Sequence, residues 1–156
     1  MKRLLLLGIC AAAVAHAQEN YVGAQRCKTC HEFEFQVWQS SGHASSLQSL
    51  SEAQQKDPKC NTCHTMLSRS EKKEFLGVQC ERCHGPGKYY HQRFVMKDKE
   101  LARAVGLLEV KQEHCVQCHN ESAPNLRPFD YAAMWAKIDH SATAKVAFEQ
   151  GQTLGR

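Results

Sequence analysis

Eight of the nine cysteines in this 156-residue chain fall into four pairs, and each pair is followed at once by histidine. The runs are Cys27-Lys28-Thr29-Cys30-His31, Cys60-Asn61-Thr62-Cys63-His64, Cys80-Glu81-Arg82-Cys83-His84 and Cys115-Val116-Gln117-Cys118-His119. Two thiols three positions apart reach the two vinyl groups of one porphyrin, and the next residue offers an imidazole to the iron. C-x-x-C-H is therefore a c-type haem attachment signature. Four copies predict four haem c groups, with thioethers at Cys27, Cys30, Cys60, Cys63, Cys80, Cys83, Cys115 and Cys118 and proximal iron ligands at His31, His64, His84 and His119. Three other chemistries share these letters. Two C-x-x-C pairs can form one Cys₄ zinc site, but zinc does not require histidine after every second cysteine. A thioredoxin-like redox pair would be one motif on a strand–helix scaffold. A disulfide framework suits an exported chain, but haem attachment at all four motifs leaves it no thiol.

The remaining histidines bear on the far side of the iron. A low-spin haem takes a sixth ligand, which His or Met supplies. Leaving aside His16 near the N-terminus, four are spare: His43, His91, His114 and His140, one for each expected haem. The spacing constrains the pairing. His43 lies twelve residues after His31 in a helix-like stretch, which at 1.5 Å per residue separates them by about 18 Å, so the two cannot share one iron. His114 adjoins Cys115 at the thioether edge of the fourth haem and should face another iron. His91 follows His84 across the short turn Gly85-Pro86-Gly87 and does not reach comfortably around the same porphyrin. The ligation is expected to be interlaced, with haems cross-linking distant segments and coupling metal binding to folding. Met66, Met96 and Met134 are alternative sixth ligands, although flexible core filler is the usual use of methionine.

The first seventeen residues read as a secretory signal. Lys2 and Arg3 are followed by an apolar run from Leu4 to Val14 and the small-x-small site Ala15-His16-Ala17, so cleavage is expected before Gln18. The competing readings are an uncleaved anchor and a lipoprotein using Cys10, against which Ile9 is bulky for a lipobox. The run is short for a bilayer span, and no later stretch is long enough to be one. The expected product is residues 18–156, one domain, periplasmic or secreted, with no transmembrane segment. The mean hydropathy of the whole chain, −0.53, is low even with the apolar leader counted, and a chain with so thin an apolar supply usually needs a cofactor, metal or disulfides to fold. The formal charge of +4 falls to +2 without Lys2 and Arg3. Haem propionates take it further: four ferric haems contribute roughly −4. No basic block points to nucleic acid.

Around the motifs the pattern is helical. Residues 32–50 read as one helix weakened at Ser40-Ser41-Gly42, residues 98–111 as a second, and residues 131–148 as a third carrying His140. Residues 52–59 read as a polar connector, 68–74 as a solvated charged loop and 124–128 as an extended loop. Gly85-Pro86-Gly87 stops any helix after His84. Trp38 reads as packing against haem. No strand is convincing. The motif separations of 33, 20 and 35 residues are too irregular for a solenoid. The expected fold is mainly α with little or no β, a small single-domain multihaem cytochrome with helices and loops wrapped around four stacked haems.

Beyond the motifs, Tyr21-Val22-Gly23, Trp38 with Ser41-Gly42-His43-Ala44, Gly77-Val78-Gln79-Cys80, Cys83-His84-Gly85-Pro86-Gly87 and Pro128-Phe129-Asp130 together resemble the tetrahaem cytochrome c-554 family. The resemblance covers about residues 21–140. It implies a mostly helical periplasmic electron carrier with closely packed haem pairs. It further implies His91 as distal ligand to the first haem, His43 to the fourth and His140 to the third. In that family the second haem can be five-coordinate, whereas this chain offers His114 as a spare. Three functions follow as expectations: electron transfer between redox protein partners, small-molecule redox chemistry such as nitric oxide reduction at an open second haem, and stacking into a conducting filament.

Overall fold

The structure, a computed structural model, describes residues 20–68, 73–121, 123 and 128–151. The leader, most of the 68–74 loop and most of the 124–128 loop lie outside the described residues. Within them the chain is mainly helical, with one antiparallel hairpin. No helix among them is long and apolar enough to cross a membrane.

The helices are short because capping residues and glycines punctuate them closely. Helix α1 (Ala24–Lys28) and helix α2 (Glu32–Gln39) flank the first motif, with His31 at the start of α2. The long helix expected over 32–50 is broken. It stops at Ser40, whose hydroxyl donates back to the Gln36 carbonyl, and resumes only as a 3₁₀ turn at Leu47–Ser49. His43 therefore sits in a turn and not on a helix, and the 18 Å spacing argument does not apply to it. The polar connector is also helical. Ser51 caps α3 (Glu52–Lys56) through a reciprocal pair with Gln54, and Asp57 caps α4 (Pro58–His64), where Pro58 occupies a position that needs no N–H. Helix α4 carries the second motif.

The hairpin was not foreseen. Strands β1 (Thr65–Ser68) and β2 (Lys73–Leu76) pair Thr65 with Leu76 and Met66 with Phe75. Both strands are four residues long and poor in β-branched side chains, so the period-2 signal is nearly absent. What holds the hairpin is burial of Met66, 1% exposed, while Leu67 and Leu76 face outward. Met66 is thus core filler.

The third motif forms α5 (Cys80–His84), ended by Gly85. Helices α6 (Arg93–Met96) and α7 (Lys99–Ala104) follow, and Asp98 caps α7 by accepting from the Glu100 and Leu101 N–H groups. The expected helix 98–111 ends early, because Gly106 takes φ +115 and turns the chain away. Helix α8 (Gln112–Cys115) leads into the fourth motif. The expected C-terminal helix is two: α9 (Tyr131–Trp135), capped by Asp130, and α10 (Ala142–Glu149), capped by Ser141, with His140 in the link.

The protein's own core is thin. Among the described residues the fully buried apolar side chains are small groups, such as Tyr90, Val95 and Ala102 with Met96, Val105 and Leu107 against them. Trp38 packs on Phe35, and its indole N–H donates to the Val78 carbonyl at 2.7 Å. Tyr90 is buried and donates its hydroxyl to the Gly85 carbonyl. Burial, with Glu81 nearby, pushes its phenol above the ordinary tyrosine range. The folded state therefore favours neutral Tyr90, and its contribution is full below the unfolded pKa of about 10 and declines as pH rises past it. Tyr90→Phe is expected to cost about 1–3 kcal/mol at neutral pH by leaving a buried carbonyl unpaired. It should also flatten the alkaline fall in stability relative to wild type, which denaturant titrations between neutral and alkaline pH would check.

Candidate functional site

None of the eight motif cysteines is in a disulfide, and their sulfurs adjoin one another across motifs. Cys27 and Cys80 hydrogen-bond each other, an interaction that holds Cys27 low and, with burial, drives Cys80 far up. Cys118 is pushed up to about 12 by burial and by a hydrogen bond with Cys63. Cys83 is pushed up by burial and by the neighbouring Cys115. The first motif therefore touches the third, and the second touches the fourth. Among the described residues no group of three or more His, Cys, Asp or Glu side chains is arranged to hold a metal ion, so the thiols do not gather into a tetrahedral zinc site.

The histidines are arranged differently. His43, in the turn after α2, faces His119 of the fourth motif with ring centroids 6.1 Å apart. His140, in the link between α9 and α10, faces His84 of the third motif at 6.0 Å. Two imidazoles on opposite sides of one metal, each nitrogen roughly 2 Å from it, have ring centres about 6 Å apart. Both pairs leave that gap, and His84 and His140 also line a cavity of about 360 Å³ with Leu107, Leu108 and Trp135. Burial, and then the facing ring, holds His43 and His84 below the usual histidine range, and burial alone does so for His119. The favoured form is neutral imidazole, which binds metal. These residues fit haem c: paired thiols, an adjacent imidazole, and an opposed imidazole from elsewhere.

Backbone carbonyls orient the rings. Nδ1 of His140 meets the Ile138 carbonyl at 2.8 Å, Nδ1 of His91 meets the Gly87 carbonyl at 2.9 Å, and Nδ1 of His64 meets the Ser46 carbonyl at 2.6 Å. A proton committed to Nδ1 leaves the Nε2 lone pair free for a metal. Phe129 stacks on His119 with centroids 4.8 Å apart. His31 approaches Glu34, 3.7 Å from its carboxylate.

His114 has a different occupation. Its Nδ1 takes the Lys111 N–H at 3.1 Å, closing the first turn of α8. The second motif's α4 instead abuts the segment 43–46: His43 points its ring at His119, and Ser46 offers its carbonyl to His64.

The chain has relatives of known kind. The family description "Cytochrome c554 and c-prime" matches residues 26–85, which hold the first three motifs. Cytochrome c-554 of Nitrosomonas europaea is 30% identical over 163 aligned positions, covering 76% of this chain and 69% of the relative. The chain belongs to the cytochrome c-554 family. The solved structure of reduced cytochrome c554 from Nitrosomonas europaea shares the fold, with TM-score 0.52, 23% identity and 83% of each chain covered. As a cytochrome c-554 relative, the chain is a multihaem c-type electron-transfer cytochrome whose cofactor is haem c, with four attachment motifs.

Several residues of this cytochrome c-554 site were not singled out from the sequence. Arg82, inside the third motif, donates Nη2 to the Thr62 and Thr65 carbonyls at 2.9 and 2.7 Å, bracing the end of α4 beside His64. Gln79 accepts from the Ala24 N–H at 2.9 Å and donates to the Leu76 carbonyl at 2.6 Å. Gly77, at φ +82, lets the hairpin end lie against the His43–Ala44 backbone, because a Cβ there would meet the Ala44 oxygen at 2.5 Å. These roles depend on what lies across the fold, and only the Gly77-Val78-Gln79 run carried a hint of them.

His43→Ala should convert one haem from low-spin to high-spin and let it bind carbon monoxide when reduced, as read by EPR and optical titration. His114→Ala should leave the spin state unchanged and cost only about 1 kcal/mol of stability, the worth of one hydrogen bond.

Proposed function

We propose that this cytochrome is an exported, periplasmic or secreted carrier that passes electrons between redox proteins through four haem c groups, one on each C-x-x-C-H motif. Thioethers form at Cys27, Cys30, Cys60, Cys63, Cys80, Cys83, Cys115 and Cys118, and His31, His64, His84 and His119 are the proximal ligands. His91, His140 and His43 are the distal ligands of the first, third and fourth haems. Residues 1–17 are the export signal and 18–156 the single tetrahaem domain. The supporting observation is the opposition of His43 to His119 and of His140 to His84 at a metal's width, in each case from segments remote in sequence.

Haem c, when bound, supplies one-electron chemistry between ferric and ferrous iron. The chain's part is to keep the imidazoles neutral by burial and to fix their Nδ1 protons on the Gly87, Ile138 and Ser46 carbonyls. The first motif lies against the third, the third against the fourth and the fourth against the second, so the attachment edges form one continuous run. An imidazole on each side of the metal favours lower potentials than His/Met ligation does.

A second reading concerns the second motif. His114 turns its Nδ1 to the Lys111 backbone at the start of its own helix; if its Nε2 does not reach the second iron, that haem would take a small ligand such as nitric oxide. The donor and acceptor proteins are redox partners; no feature recommends nucleic acid.

Intact mass and a pyridine haemochrome assay of purified mature protein should return four haems per chain and a mass that starts at Gln18. Colourless protein, or zinc in place of iron, would sink the proposal. Carbon monoxide added to the reduced protein should bind at one haem under the second reading, and a wholly unresponsive spectrum would remove that reading while leaving the carrier intact.

A further inference from the structure

Glu81 occupies the first variable position of the third motif, where exposed residues serve well enough, yet it is only 2% exposed. Its carboxylate is held entirely by main-chain donors that the structure brings from two other segments. The Val22 N–H is shared between its oxygens at 2.9 and 3.1 Å, Gly23 N–H donates to Oε2 at 2.7 Å, and Gly87 N–H donates to Oε1 at 2.6 Å. Both oxygens accept and every partner donates, which is the pattern of an ionised carboxylate, since a protonated one would need an acceptor of its own.

The two segments so held have one thing in common. Val22 and Gly23 lead directly into α1 and Cys27, the start of the first motif. Gly87 receives His91 on its carbonyl twice, from the main-chain N–H at 2.8 Å and from ring Nδ1 at 2.9 Å. Glu81 therefore belongs to the third motif but grips both sides of the first: the strand of chain before its attachment cysteines, and the turn on which His91 is seated. Gly87 shows how closely the carboxylate is fitted, because a Cβ there would lie 2.8 Å from Oε1.

We propose that Glu81 is a positioning residue for the first haem, seating His91 as its distal ligand and, as a buried negative charge beside the first and third motifs, holding down their reduction potentials. The inference rests on the haem assignment above. A fixed anion disfavours adding an electron nearby, and burial leaves that interaction weakly screened.

Two variants separate the charge from the seating, and both are read on purified tetrahaem protein by haem count, EPR and EPR-monitored potentiometry. Glu81→Gln removes the charge. At least one of the four couples should rise, with a reduction equilibrium favoured about tenfold, which is about 59 mV for a one-electron couple. Gly87→Ala keeps the charge but displaces the carboxylate from the turn. It should produce a high-spin signal beyond any in the wild type, with new carbon monoxide binding, as His91 leaves its iron. Potentials unchanged in Glu81→Gln, or a Gly87→Ala protein with the wild-type spin state, would overturn the inference. Should Glu81→Gln fail to mature, Gly87→Ala decides alone. A wild-type count below four haems overturns the underlying haem assignment instead, so the two failures are distinguishable.

Discussion

Opposed imidazoles are what the rest of this structure is arranged around. His43 and His119 come from segments 76 residues apart, and His84 and His140 from segments 56 apart, yet each pair meets across a gap of metal width. The rings of each pair are tilted by 57° and 60° to one another, an arrangement open to two imidazoles that point at one shared metal. The short helices, the turns between them and the carbonyls that lock the rings all serve to keep those gaps open and correctly oriented. Family membership in the cytochromes c-554 gives the gaps their occupant, and the thinness of the polypeptide's own core fits a fold whose interior is shared with porphyrin.

The third motif is the junction of this arrangement. Its thiols adjoin those of the first and fourth motifs, and its two variable residues reach outward in different directions. Glu81 binds the main chain before the first motif and at Gly87, while Arg82 braces the carbonyls at the end of α4. A short helix of five residues thus contacts three other attachment regions. The segment 43–46 does similar service between the second and fourth motifs, with one residue turned to His119 and another holding the His64 ring. Burial then does double duty at these positions: it supplies packing and it keeps the imidazoles neutral.

Where reading the sequence failed, the reasons are physical. Helices of 32–50, 98–111 and 131–148 were expected as continuous because apolar spacing persists through Ser40, Gly106 and the 136–141 link. The first ends instead at Ser40, the second where Gly106 takes φ +115, and the third splits at the 136–141 link, which leaves His43 and His140 in turns. The hairpin escaped notice because its strands are short and one buried methionine, not alternation, holds it. His114 counted as a spare ligand by number alone, and only the fold shows that its Nδ1 lies against the Lys111 backbone while Nε2 stays uncommitted. Glu81 carries no local signal of its role, because nothing in the motif announces that three N–H groups converge on it.

By itself the sequence pointed to the covalent chemistry of this protein, to four attachment motifs and to a candidate proximal histidine in each. That information is local: five consecutive residues contain both thiols and the imidazole, and no folding is needed to read them. It also set the mainly helical class through spacing and capping residues. Tertiary structure alone decided which histidine faces which, which motifs lie side by side, and which polar residues hold them there. Those are pairings between residues tens of positions apart, and many chain paths are compatible with the same local pattern. Only the packing that brings distant turns to opposite sides of one gap selects among them.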